Sequence, residues 1–184
     1  MNEDVFNRAA EEEIVQPFGQ LVFVGVGLSA EVRYRSVAAL NRLLAHSLAM
    51  RDLYKKAHWQ TYGVTFYQLH LLFDKHAEEQ GTIADELAER IQMLGGVCLA
   101  LAADIVQETR IARAPRGRET VPRQLERLVE GHSMILGEGR ELARAAAEMA
   151  DDGTNDLIVG RVIRGNEQQS WFVAEHLDHQ RRER

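Results

Sequence analysis

Four long runs in which apolar residues return at the 3.6-residue period dominate this sequence and confine it to a helical fold. From Ser29, a residue type that caps helix N-termini, Val32, Val37, Leu40, Leu43, Leu44, Leu48 and Leu53 follow that period until Gly63 stops it. The second run carries Leu69, Leu72, Phe73, Ile83, Leu87, Ile91 and Leu94 and ends at Gly95-Gly96. Thr65, with Gln68 three residues on, predicts a capping box at its start. Residues 97–120 hold a short apolar run, then Pro115 and Gly117. That stretch is too long for a turn between neighbouring helices and predicts a crossover holding a short helix. Thr120 and Pro122 open the third run, which continues through Leu125, Leu128, Ile135 and Leu142 to Met149. Asp151-Asp152-Gly153-Thr154 is the expected break before the fourth run, through Leu157, Ile158, Val162, Ile163, Trp171 and Leu177. Gly131, Gly137 and Gly139, then Gly160 and Gly165, interrupt the last two runs, each at about 1 kcal/mol relative to Ala.

Two short turns around one long middle connection make an all-α four-helix bundle with a crossover, the arrangement of ferritin-like folds. A chain of 184 residues with 45% apolar content buries one core, so one domain is expected over residues 29–180. Residues 1–28, with Glu11, Glu12, Glu13, Pro17 and three glycines, read as a flexible N-terminal arm, and residues 181–184 as a short Arg-rich tail. The single cysteine, Cys98, has no internal partner and reads as a small core residue. With no targeting pattern at the N-terminus, the cytoplasm is the expected compartment. The longest apolar stretch, residues 21–28, is broken by Gly25 and Gly27 and is far short of the roughly 20 residues that span a membrane.

Chemistry enters with histidine and carboxylate placement. His58 and His70 flank Gly63 almost symmetrically, so an antiparallel hairpin of the first two helices brings the imidazoles level. On the second helix, at about 100° per residue, His70, Asp74, Asp85 and Glu89 fall at roughly 0°, 40°, 60° and 100°, all on one side. Asp74 and Asp85 are nevertheless eleven residues, roughly 16 Å, apart along the axis, too far to close one site within one chain. A two-fold antiparallel pairing of second helices, crossing between Glu79 and Gln80, sets Asp74 level with Asp85 of a second copy and His70 level with its Glu89. Ala77, Gly81, Ala84 and Ala88 lie on or beside that stripe and permit close approach. Mixed imidazole and carboxylate ligands suit iron, with zinc as the alternative, whereas an all-carboxylate set would suit calcium or magnesium. His76 lies well off the stripe, and His46, His132, His176 and His179 read as structural or surface residues.

The run Tyr54-Lys55-Lys56-Ala57-His58-Trp59, then Gly63, Leu69-His70, Leu72-Phe73-Asp74, Asp85, Ala88-Glu89-Arg90 and Leu94-Gly95-Gly96, resembles the Dps family, mini-ferritins named as DNA-binding proteins from starved cells. The resemblance covers about residues 27–180, Gly153-Thr154 and Trp171 included. It implies a hollow shell of twelve subunits that oxidises Fe(II), preferably with hydrogen peroxide, stores the ferric mineral and so protects DNA. By that match His58, His70 and Asp74 come from one subunit and Asp85 and Glu89 from its two-fold mate, forming a mononuclear or dinuclear iron site. Trp59 fits a family position that absorbs stray oxidising equivalents, with a packed core aromatic as the plainer alternative. Glu148, Asp151, Asp152 and Asp156 fall in the region that lines the family's three-fold channels, and a ring of such carboxylates would concentrate cations. Asn166-Glu167-Gln168 departs from the family's frequent His-Glu-Lys run, so a charge contact is expected to be lost there.

Two other functions compete. A nucleoid-binding cage would condense DNA through basic tails, but the net charge is −6 and residues 1–16 hold five acids against Arg8 alone. Arg181, Arg182 and Arg184, repeated over twelve copies, are the route left for DNA. A bundle serving only as a partner-binding scaffold would need a broken ligand set, and the set is intact.

Overall fold

The computed structural model describes residues 14–182, with side chains described through residue 177. Helix α1 spans Ala30–Gln60 and α2 Phe66–Met93; a short α3, Ala102–Glu108, lies in the crossover, and α4 spans Val121–Glu148. The last helix starts as α5, Asp152–Leu157, widens to a π-helical stretch over Ile158–Ile163 and continues as α6, Arg164–Arg182. Among the described residues all regular structure is helical, as the periodicity predicts.

The helix ends follow local chemistry. Ser29 accepts a hydrogen bond from the Val32 N–H at 3.3 Å, capping α1. Gly63 turns the chain between α1 and α2 with φ +88°, a conformation only glycine adopts cheaply. At the end of α2, Gly96 N–H donates to Ile91 O and Gly95 N–H to Gln92 O, the paired bonds of a Schellman ending with Gly95 left-handed at φ +80°. Two expectations fail at other ends. Thr65 occupies the N-cap of α2 but makes no side-chain cap bond; its φ −94°, ψ 13° depart from the extended backbone that aims a capping oxygen. The break after α4 falls earlier than residues 151–154. Ala150 takes the left-handed position at φ +54°, Asp151 is the N-cap of α5, and Gly153 lies within its first turn.

Helices α1 and α2 lie antiparallel, and α4 packs against both α1 and the last helix. Leu40, Leu69, Phe73, Leu87, Ile91, Leu125, Ile135, Val162 and Val173, drawn from all four long helices, have no solvent exposure. Gly131 serves this packing: a Cβ there would stand 2.3 Å from Met50 Sδ, so α4 approaches α1 only because the side chain is missing. The polypeptide before α1 is tied to the end of α2. Val22 N–H donates to Gly95 O at 2.9 Å, Gln16 Nε2 to the same oxygen at 3.0 Å, and Arg33 Nη1 to Val22 O and Leu94 O, each at 2.9 Å. Residues 1–13 of the expected arm lie outside the described residues.

Candidate metal centre

The turn at Gly63 brings the last two turns of α1 beside the first turns of α2. His58 and His70 stack with ring centroids 3.7 Å apart and planes 20° from parallel. Their Nδ1 atoms are each committed to the opposite main chain, His58 Nδ1 to His70 O at 2.7 Å and His70 Nδ1 to His58 O at 3.0 Å. A carbonyl only accepts, so both Nδ1 atoms carry a proton, and in the neutral ring this leaves Nε2 as the nitrogen with the lone pair, the tautomer a metal ligand needs. The His58 carbonyl, in the last turn of α1, lacks an intrahelical donor, and His70 supplies one.

Asp74 follows His70 by one helical turn. Its Oδ1 accepts a hydrogen bond from Lys55 and lies 3.9 Å from His58 Nδ1. The Lys55 bond holds the carboxyl below its ordinary value despite partial burial, so it stands ionised beside the two imidazoles. His58, His70 and Asp74 therefore form one cluster. Asp85 and Glu89 lie farther along α2 and are exposed. Among the described residues no three His, Cys, Asp or Glu side chains converge to hold a metal within one chain. The five predicted ligands thus fall into two separated groups, His58, His70 and Asp74 where α1 meets α2, and Asp85 and Glu89 farther along α2.

Exposed aromatic and aliphatic residues flank the first set. Phe66, Tyr67 and Leu71 are exposed on α2, and Trp59 is 69% exposed with Lys55 Nζ 5.9 Å from its ring centroid. Trp59 is therefore no core aromatic within the single chain.

The acidic group splits. Glu148, Asp152 and Asp156 are exposed. Asp151 has no exposure and takes hydrogen bonds from Ser36 Oγ at 2.6 Å, Arg90 Nη2 at 2.6 Å and Thr154 N–H at 3.1 Å. Burial alone would raise its pKa; the bonds from Ser36 and Thr154 and the Arg90 guanidinium outweigh it and hold the value down. The expectation that Asp151 lines a channel is corrected: within the subunit its carboxylate is already enclosed and paired.

Of the remaining histidines, His46 is buried, with Nδ1 3.1 Å from Thr109 Oγ1 and Nε2 3.3 Å from Glu138. His76 and His132 are buried in the bundle centre beside Tyr54. Asn166, where a charge contact was expected to be lost, has no exposure and accepts hydrogen bonds from His132 Nδ1 and Gln80 Nε2. This polar core escaped sequence reasoning because its members come singly from separate helices. Cys98 packs partly buried against the core, as expected.

Residues 37–182 match the ferritin-like domain family. The fold superposes on DpsC from Streptomyces coelicolor with a TM-score of 0.89 and 48% identity, covering 90% of this chain and 96% of that one. The chain belongs to the Dps family. A second structure, Dps from Thermosynechococcus elongatus, matches this Dps-family chain with a TM-score of 0.76 and 35% identity over 80% of it and 92% of the other chain. DNA protection during starvation protein 2 of Bacillus anthracis is 28% identical over 142 residues, 77% of this chain and 96% of the relative. The all-α ferritin-like fold expected from the periodicity is the fold observed. No helix among the described residues is long and apolar enough to cross a membrane.

Proposed function

We propose that this Dps-family protein is a ferroxidase and iron-storage cage. It oxidises Fe(II) with hydrogen peroxide, retains the ferric mineral inside a shell of about twelve subunits and thereby protects DNA. The observation that carries the reading is the pair of imidazoles whose Nδ1 atoms are both held by main-chain carbonyls, leaving two Nε2 lone pairs beside ionised Asp74. His58, His70 and Asp74 bind the iron substrate from one subunit, and Asp85 and Glu89 of a two-fold mate complete the site. The axial separation on α2 is the reason for assigning the second pair to another chain.

The ligand types favour oxidation. Imidazole accepts Fe(II) readily, while carboxylate oxygens, being hard donors, stabilise Fe(III) more, so the mixed set favours loss of an electron. Two Fe(II) ions give one electron each to one peroxide, whose O–O bond breaks to leave two hydroxide ions. Lys55 fixes the Asp74 carboxylate, and Trp59 stands beside the first ligand as a donor to stray oxidising species. Exposed Glu148, Asp152 and Asp156 would draw Fe(II) toward an entry channel. This protection needs no direct contact with DNA, in keeping with the net charge of −6.

The test is complementation between subunits. Cages of His58→Ala/His70→Ala subunits and cages of Asp85→Ala/Glu89→Ala subunits should each lose rapid oxidation, followed as ferric absorbance on peroxide addition. Dissociation and reassembly of the two together should restore it at mixed interfaces. Mixed cages that stay inactive sink the intersubunit site.

A further inference from the structure

The bundle centre holds a chain of polar side chains that the two ligand sets do not use. Its direction is fixed at Asn166, whose Nδ2 donates to Val162 O at 2.7 Å, so its Oδ1 is the acceptor. That oxygen takes a hydrogen bond from His132 Nδ1 at 2.8 Å and one from Gln80 Nε2 at 2.9 Å. His132 Nε2 is therefore an unprotonated acceptor, and the Tyr54 hydroxyl donates to it at 2.5 Å. His76 Nδ1 lies 3.2 Å from the same hydroxyl oxygen and donates to it. Tyr54, His76 and His132 have no solvent exposure. Burial holds His132 down to about 4, so its imidazole is neutral near pH 7, and burial, with Glu79 adding to it, pushes the Tyr54 phenol well up. The proton thus rests on Tyr54 with an empty nitrogen aimed at it.

The phenol also lies close in the fold to two of the proposed iron ligands. Tyr54 precedes His58 by one turn of α1, about 6 Å along the axis. Its ring centroid is 6.0 Å from that of Phe73, the chain neighbour of Asp74.

We propose that Tyr54 and His132 form a proton-coupled electron donor that completes peroxide reduction whenever a single Fe(II) occupies the site. The assignment rests on the ferroxidase reading above. One Fe(II) gives one electron to hydrogen peroxide, whose O–O bond breaks into hydroxide and a hydroxyl radical. Tyr54 supplies the second electron, turning that radical into hydroxide, and its phenolic proton moves to His132 Nε2. The products are a tyrosyl radical and an imidazolium, still hydrogen-bonded to Asn166. A second Fe(II) arriving at the site then returns an electron to Tyr54, and His132 returns the proton. The sum is two Fe(III) and two hydroxide ions per peroxide, with the pair restored. Exposed Trp59 would serve oxidants that escape outward; Tyr54 serves the site from within.

Assembled cages loaded anaerobically with one Fe(II) per site, mixed with peroxide and freeze-quenched, test this by electron paramagnetic resonance alongside ferric absorbance. Wild-type cages should show an organic radical whose splitting collapses when the tyrosines are ring-deuterated. Tyr54→Phe should abolish it, and His132→Gln, which keeps a hydrogen bond but cannot take the proton, should strongly reduce it. Flash oxidation of metal-free cages by a photogenerated ruthenium(III) oxidant gives a readout independent of iron: a Tyr54 radical formed more slowly in deuterated solvent. Ferric absorbance without a tyrosyl signal, or a signal that persists in Tyr54→Phe, overturns the inference and leaves the ferroxidase reading standing. Absent ferric absorbance counts against the ferroxidase reading and with it the proposed role. Should Tyr54→Phe fail to assemble, His132→Gln decides: an unchanged radical yield with an unchanged solvent isotope effect refutes the pair.

Discussion

Asp151→Asn separates a buried structural carboxylate from a channel-lining one. The substitution keeps the shape and the oxygen shared by Thr154 N–H and Arg90, so both retain an acceptor, but it removes the charge facing Arg90 and turns an amide nitrogen toward Ser36. Breaking a fully buried ion pair costs about 3–5 kcal/mol. The Arg90 side chain keeps 17% exposure against none for Asp151, so part of its charge stays solvated and a loss of about 2–4 kcal/mol per subunit is expected. For a chain of this length that corresponds to a melting temperature lower by roughly 5–15 °C. The assay is thermal unfolding of assembled cages at one fixed protein concentration, because the melting point of an oligomer depends on it. The folded-state pKa of Asp151 is depressed, so its stabilisation is complete above the unfolded carboxyl value and is lost as pH falls through the folded one. The gap between parent and variant should therefore narrow toward acid. A melting point within about 2 °C of the parent at neutral pH, the range of an ordinary surface change, would refute the pairing argument.

Asp152→Asn/Asp156→Asn, by contrast, should slow iron uptake at low salt with little change in melting point, and uptake rates unchanged across the salt range would send iron by another route. Gly131→Ala should destabilise by about 1–2 kcal/mol despite alanine's higher helix propensity, because its Cβ meets buried Met50; adding Met50→Ala should recover part of the interaction in a double-mutant cycle, and additive losses would show that the two do not touch. Light scattering should give a particle of about twelve subunits, roughly 250 kDa, and a stable dimer under all conditions would count against a cage.

The elements that the sequence made legible are those in which one local signal decides. Gly95 was readable as a helix ending because a left-handed residue was needed there, and the fold uses its missing side chain twice: an added Cβ would also stand 2.5 Å from Val22 O. Ala150 sends no such signal, since alanine rarely takes the left-handed position, and the eye moves to Gly153 instead. Gly153 has a different task, admitting the Arg90 guanidinium, whose atoms would lie 3.0 Å from a Cβ. The break and Asp151 were misplaced for the same reason: the pairing of Arg90 with Asp151 joins residues 61 positions apart, and no local pattern carries that distance.

The placement of the predicted ligands was legible for the opposite reason, because one helix holds four of the five residues and its geometry alone sorts them onto one side and into two axial levels. The polar core shows where that reasoning stops. On a helical wheel His76 simply lies away from the ligand stripe, and His132 and Asn166 interrupt apolar faces of helices whose partners the sequence does not name. Only when α4 and the last helix pack does Asn166, held by the Val162 carbonyl, fix the tautomer of His132 and so leave Nε2 open to Tyr54. A cationic side chain at position 166, which has donors alone, would present a donor to His132 Nδ1 instead and reverse the sense of the whole chain of bonds. The amide that looked like a lost charge contact is thus what sets the direction in which the Tyr54 proton can move.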